Sequence, residues 1–277
     1  MEPYQLLYPQ DALIPLVVDS PHSGEWYPDD FGFACRKDQL AQSCDTLVHD
    51  LFMGTIVMGG TLLYANFPRC YIDTNRAVDD IDPEMLAEPW PTPLKPGQKS
   101  GFGMGLIRKM ALPDVPVYGR KLSVAEVKRR IDYYYMPYHE ALKAELDQCH
   151  QEAGVVLHIN AHSMKSVGNE MGTDPGQKRP DFCISDYRGT TSASSLTEFA
   201  ADQLRRFGYD VRINDPYLGA EIIRRYGRPA DGRHSIQIEI NRALYMNEEY
   251  RTPIGRYTEV KQHITYMLMG IRDLLTG

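Results

Sequence analysis

The chain lacks most of the features that would place it in a specialised class. Its five cysteines, Cys35, Cys44, Cys70, Cys149 and Cys183, are an odd number without C-x-x-C spacing. That argues against a disulfide or cysteine-zinc framework and reads as reduced thiols in a cytoplasmic protein. No uninterrupted apolar run approaches the ~20 residues of a membrane-spanning helix. The segment Met1 to Gln10 has no basic n-region, so no secretory signal is expected. No repeat or low-complexity tract occurs, and a G-x-S-x-G elbow is absent, which weakens a serine-hydrolase reading of Ser163. Basic residues are also in deficit: 30 Lys and Arg against 37 Asp and Glu give a formal charge of −7. A general nucleic-acid binder would show the opposite balance. An anionic small molecule remains compatible with such a surface, provided arginines gather locally at a site.

What is present is an ordinary soluble composition, 43% hydrophobic and 24% charged over 277 residues, enough for one large α/β domain. Strand-like runs fall near 13–18, 55–65, 69–74, 154–161, 182–185, 209–213 and 234–240. Between them lie helical patterns. One begins at Asp45 and runs to Met53. A longer one opens at the capping box Ser123-Val124-Ala125-Glu126 and continues towards Cys149, with Pro137 expected to kink or split it. A second capping box, Ser195-Leu196-Thr197-Glu198, opens a helix that ends before Gly208. The last helix, about Ile254 to Leu275, carries Val260, Ile264, Met267, Leu268 and Ile271 as its apolar stripe. This alternation predicts an α/β fold with a mixed, largely parallel central sheet flanked by helices. The Pro- and Gly-rich stretch 79–120 breaks the pattern and reads as an excursion walling the site. No composition break divides 1–277, which is read as one catalytic domain.

Four apolar runs end in polar clusters, where α/β proteins place their chemistry. The first is Asp19-Ser20-Pro21-His22-Ser23-Gly24-Glu25. The second is Tyr71-Ile72-Asp73-Thr74-Asn75-Arg76, the third His158-Ile159-Asn160-Ala161-His162-Ser163-Met164. The fourth is Ile236-Gln237-Ile238-Glu239-Ile240-Asn241-Arg242. Strand alternation puts Val156, His158, Asn160 and His162 on one face, and Gln237, Glu239 and Asn241 on one face of their own strand. Two histidines and a carboxylate with an open fourth position form the catalytic zinc pattern. His22 and His162 are the candidate histidines. Glu25, in H-x-x-E spacing from His22, and Asp45, at a predicted helix start, compete for the carboxylate. Glu239, flanked by isoleucines, suits a general base with a raised pKa. Arginine near Asp73 suits bidentate capture of a carboxylate. Each cluster alone is compatible with a structural role; their recurrence favours a metal-dependent hydrolase acting on an acidic substrate.

At these residues the chain resembles the N-formylglutamate amidohydrolase (N-formylglutamate deformylase) family of zinc enzymes with a carboxypeptidase-like fold. The likeness runs through Pro21-His22-Ser23-Gly24, Asp45, Arg69 to Arg76, Gly105-Leu106-Ile107, Pro137-Tyr138-His139, Ala161-His162-Ser163, Ile222 to Gly227 and Gln237 to Ile240. It implies one Zn2+ on His22, His162 and, in preference to Glu25, Asp45, which matches the second Asp of the family's Asp-x-Asp-Trp segment. The first Asp and the Trp of that segment are missing here. The resemblance further implies Glu239 as general base and Asn75 with Arg76 as anchor for a substrate carboxylate. Arg224 is read as holding the other carboxylate and Arg69 as stabilising the oxyanion. Glu221, close to Arg224, departs from the family pattern and bears on the pocket's charge. The implied reaction is hydrolysis of N-formyl-L-glutamate to glutamate and formate, a step of histidine degradation. Its rivals are a zinc deacylase for another N-acyl acidic amino acid and a non-catalytic acyl-amino-acid binder.

Overall fold

The structure, a computed structural model, describes residues 1–10 and 12–277. Seven strands form the main sheet: β1 (Tyr4–Leu7), β2 (Leu16–Ser20), β3 (Thr61–Ala65), β4 (Val156–Met164), β5 (Phe182–Ser185), β6 (Val211–Ile213) and β7 (Arg233–Asn241). Their spatial order is β1-β3-β2-β4-β7-β5-β6. Strands β3, β2, β4 and β7 run parallel, while β1 pairs antiparallel with β3 and β5 antiparallel with β7. The sheet is therefore mixed and mostly parallel, as the alternating pattern predicts.

The centre is the nine-residue parallel pairing of β4 with β7, in register from Val156 opposite Arg233 to Met164 opposite Asn241. One face of this pair is apolar. Leu157, Ile159, Ala161, Ile236, Ile238 and Ile240 pack there against the helices Ser194–Arg205 and Tyr257–Thr276. The expected stripe Val260, Ile264, Met267, Leu268 and Ile271 is buried on the same side. Each such side chain contributes about 1.5–3 kcal/mol. The opposite face carries a polar column in which His158 stands level with Ser235, Asn160 with Gln237 and His162 with Glu239. The helix Met136–Ala153 covers its lower end, where the Tyr138 hydroxyl donates to Asp19 Oδ2 at 2.8 Å.

Several expected elements differ. The run 55–65 is split: Gly54–Val57 is helical, and the strand starts only at Thr61. Gly59, at φ +93°, turns the chain between them. The segment 69–74 is a turn and not a strand. Asp73 Oδ1 accepts from the Asn75 amide at 3.0 Å, a local bond that competes with strand pairing. The helix expected from Asp45 to Met53 is confined to Val48–Leu51, so Asp45 lies ahead of it. The helix Ser194–Arg205 has Ala193 at its N-cap without a side-chain cap bond, and the Ser195 capping box does not form. The Ser123 cap does form, accepting from Glu126 N at 3.1 Å. Its helix, Val124–Arg130, continues through a π-helical turn, Ile131–Tyr135, immediately before Met136 and Pro137. The stretch 79–120 contains short elements, among them the helix Gln98–Gly101 and the ribbon Met110–Leu112 with Val115–Pro116.

His139, 4% exposed, lies between the Thr74 carbonyl, 2.9 Å from its Nε2, and the Tyr226 hydroxyl, 2.9 Å from its Nδ1. Burial, with the Arg225 charge adding, lowers its pKa from 6.5 to about 3. The folded state thus resists a proton that the unfolded chain accepts, so this residue's contribution is intact above pH ~6.5 and is lost as the pH falls towards 3. In urea titrations, His139→Gln is expected to flatten the decline of unfolding free energy between pH 6.5 and 4.

Candidate active site

The C-terminal ends of β2, β4 and β7 open into a cleft of about 580 Å3. His22 follows β2 directly, in a turn held by the Ser20 and Ser23 hydroxyls, which bond each other. Gly24 lets this turn press against the neighbouring chain: a Cβ there would stand 2.3 Å from the Asn66 carbonyl carbon. His162 projects from β4. Asp45 is tied to His22 through its own backbone, its amide donating to His22 O at 2.9 Å.

The three side chains converge. Donor atoms of His22, Asp45 and His162 all lie within 4.8 Å of one another, and all three residues are buried. Asp45 Oδ2 is 2.9 Å from His162 Nδ1 and 3.4 Å from His22 Nδ1. On its far side, His22 Nε2 is 2.7 Å from Asp73 Oδ1. That carboxylate makes Nε2 the donor and leaves the lone pair on Nδ1, which is buried without a hydrogen-bond partner. His162 Nε2 stands 2.7 Å from Asn160 Oδ1 and 2.9 Å from Asn75 Nδ2. When it donates to Asn160, its Nδ1 lone pair also faces Asp45. A buried orphan nitrogen beside a second imidazole and a carboxylate fits a divalent metal.

The charges suit this role. Burial opposes ionisation of Asp45, but the adjacent His162 and His22 imidazoles and the Arg69 charge outweigh it and hold the carboxyl well below the usual range. Asp73 is held likewise against burial by Arg69, His22 and Arg76. Arg69 grips Asp73 Oδ2 with Nε at 3.1 Å and Nη2 at 2.8 Å, leaving Nη1 3.8 Å from Asp45. Arg242 donates to Asp45 Oδ1 at 2.9 Å and to Ser163 Oγ at 3.0 Å. It stands in the fourth polar cluster, but its partnership with Asp45 has no sequence signal, because it spans 197 positions.

Glu25 lies outside the group. Its carboxylate bonds Arg251 and accepts from Thr46 Oγ1 at 3.1 Å. Glu239 is level with His162 on the adjacent strand and lines the cleft. Gln237 Nε2 donates to its Oε1 at 3.0 Å. Burial raises the Glu239 pKa; His162 opposes this and the neighbouring Asp45 charge adds to it.

Further along the cleft, Arg76 is held by two carbonyls, Nε on Met104 O and Nη1 on Asn75 O, both at 2.9 Å. The Asn75 amide is already engaged: Oδ1 accepts from Ile222 N at 2.8 Å, and Nδ2 faces Asn160 and His162. Arg224 is exposed at the rim, over the Tyr187 ring at 5.1 Å. Glu221 pairs with Arg225 at 3.0 Å, not with Arg224. Nine cationic side chains line the cleft against four carboxylates, a balance that favours an anionic ligand. Three of the nine, Lys95, Lys99 and Arg108, come from the 79–120 excursion, whose irregular sequence carries no periodicity to point to them.

The fold and site together define a hydrolase-like α/β scaffold with a buried His-Asp-His group at its strand ends that could hold a metal. A sequence model of N-formylglutamate amidohydrolase matches residues 14–246, and the chain belongs to that family. It is 27% identical over 264 residues to an N-formylglutamate deformylase of Pseudomonas putida, covering 89% of each chain. A second N-formylglutamate deformylase, from Pseudomonas aeruginosa, is 26% identical over 258 residues, covering 88% of each. The crystal structure of an N-formylglutamate amidohydrolase from Ralstonia eutropha superposes with a TM-score of 0.96 at 43% identity, over 100% of this chain and 99% of that one.

Asp73 is the acceptor that fixes the His22 tautomer. Asp73→Asn is expected to weaken divalent-metal binding by about 10–100-fold, measured by competition against a chromogenic chelator.

Proposed function

We propose that this protein hydrolyses N-formyl-L-glutamate to glutamate and formate with one zinc ion on His22, Asp45 and His162. The observation that carries the reading is the shared cleft: a metal-type donor group, a carboxylate with raised pKa one strand away, and an excess of arginines, in a chain of this family. Bound zinc would supply Lewis acidity at the formyl carbonyl and bring the acidity of water towards neutral pH.

The chain's own groups do the rest. Glu239 Oε1 is occupied by Gln237, so Oε2 accepts the proton of the attacking water. The same atom returns it to the amide nitrogen, which leaves as the amine of glutamate. The carboxyl's raised pKa serves both halves, since a stronger base in the first step is a competent acid in the second. Arg69 Nη1 meets the developing oxyanion. Arg76, with two of its nitrogens fixed on carbonyls, offers Nη2 to a substrate carboxylate. Asn75 supports this anchor through its backbone carbonyl and, through Nδ2, donates to Asn160 Oδ1, the acceptor of His162 Nε2. Arg224, at the rim, takes the other carboxylate.

Zinc-loaded protein assayed on N-formylglutamate, N-acetylaspartate and small peptides is expected to turn over the first in strong preference. Chelation is expected to abolish the activity and added zinc to restore it. Glu239→Gln is expected to lower kcat by about 10²–10⁴ with little change in KM; near-full turnover by that variant would remove Glu239 from the mechanism.

A further inference from the structure

Arg108 has no part in the reaction described so far, and its surroundings are unusual for a buried cation. It is 5% exposed, and its Nε is enclosed without a partner. Among the described residues, no carboxylate lies within ion-pair distance of it and no side-chain hydrogen bond satisfies it. The other buried arginines, Arg130 and Arg242, and the partly buried Arg69 are all paired. Arg130 binds Glu126, Tyr118 and the Tyr71 carbonyl; Arg242 binds Asp45; Arg69 binds Asp73. An uncompensated buried charge is expensive. A fold that keeps one at the wall of a cleft leaves its compensation to a ligand.

The scaffold of Arg108 fixes its relation to Arg76. Residues Met104 and Arg108 form an antiparallel bridge, and the Met104 carbonyl is the one that holds Arg76 Nε. The loop between them is pinned at Leu106, whose carbonyl accepts from Asp73 N at 2.8 Å and whose amide donates to Asp80 O at 2.7 Å. Two guanidinium groups thus share one rigid support, on the side of the cleft next to Asp73 and the metal-binding group. Burial lowers the Arg108 pKa to about 9; the Asp73 charge opposes that effect, and the charges of Arg69 and Arg76 add to it. A carboxylate arriving between them would relieve both the desolvation and the repulsion.

We propose that Arg108 is a specificity residue that, with Arg76, clamps the substrate carboxylate nearer the scissile amide. This rests on the reading of the substrate as an N-formyl dicarboxylic amino acid. The α-carboxylate is separated from the reacting nitrogen by one carbon and falls near the metal. The side-chain carboxylate reaches outward to the exposed Arg224.

The test compares metal-loaded wild type with Arg108→Gln on N-formylglutamate and on N-formyl-4-aminobutyrate, which keeps the distal carboxylate and lacks the α one. The variant is expected to lose about 10- to 10²-fold in kcat/KM on N-formylglutamate and little on the aminobutyrate. Without ligand it is expected to melt at the same temperature as wild type or higher, because an unpaired buried charge has been removed. Equal losses on the two substrates, no loss on either, or a lower melting temperature would overturn the assignment. Should the wild type hydrolyse neither compound, the proposed reaction fails and the clamp is judged separately by calorimetry with N-formylglutamate. Binding weakened tenfold or more by Arg108→Gln sustains it, and unchanged binding overturns it.

Discussion

The pairing of β4 with β7 sets the level at which everything else in the cleft stands. Because the two strands are parallel and in register over nine residues, side chains of equal height meet across them, and His162 faces Glu239. A one-residue slip would turn Glu239 into the apolar layer and an isoleucine into the cleft. The isoleucines that flank Glu239 prevent that slip, since each is buried against the helices behind the sheet. The packing that stabilises the fold therefore also fixes where Glu239 stands relative to His22, Asp45 and His162.

The same column explains how a site rich in charge is tolerated at the end of a buried sheet. Asp19, at its base, accepts from Tyr138 and Asn160 and bonds His158. Asn160 then presents its carbonyl to His162. Orientation is passed upward by these hydrogen bonds, and some of the buried polar atoms left without a partner sit at the cleft. His22 Nδ1 and Arg108 Nε are two of these. One is a lone pair and the other a cation, so they call for opposite kinds of ligand.

The parts of this arrangement that depend on period were legible in the sequence. The alternation of β4 and β7 puts His162 and Glu239 on polar faces, and the stripe Val260, Ile264, Met267, Leu268 and Ile271 follows from the helical period. The parts that depend on local side-chain bonds were not. Asp73 gathers Arg69, His22 and the Asn75 amide, and so makes a turn where the composition suggests a strand. Asp45 lies ahead of its helix, held by the His22 carbonyl, and is kept ionised by the two histidines and Arg69. Arg108 sits in a stretch with no repeat to reveal which side chains turn inward. Nor does the sequence show that Glu25 is engaged by Arg251, 226 positions away.

One reversal in the sheet bears on how this site can change. Since β5 runs against β7, the connection from β4 to β5 begins and ends on the same edge of the sheet. An all-parallel order would have forced it to cross to the opposite edge and return. The whole segment 165–181 is thereby released to border the cleft, where Lys165, Asn169, Met171 and Arg179 lie. It carries none of the metal-binding side chains and spans no strand. Insertions and exchanges there can reshape what the pocket admits while the reacting groups stay in place, which gives the fold a means of acquiring new substrates without reinventing its chemistry.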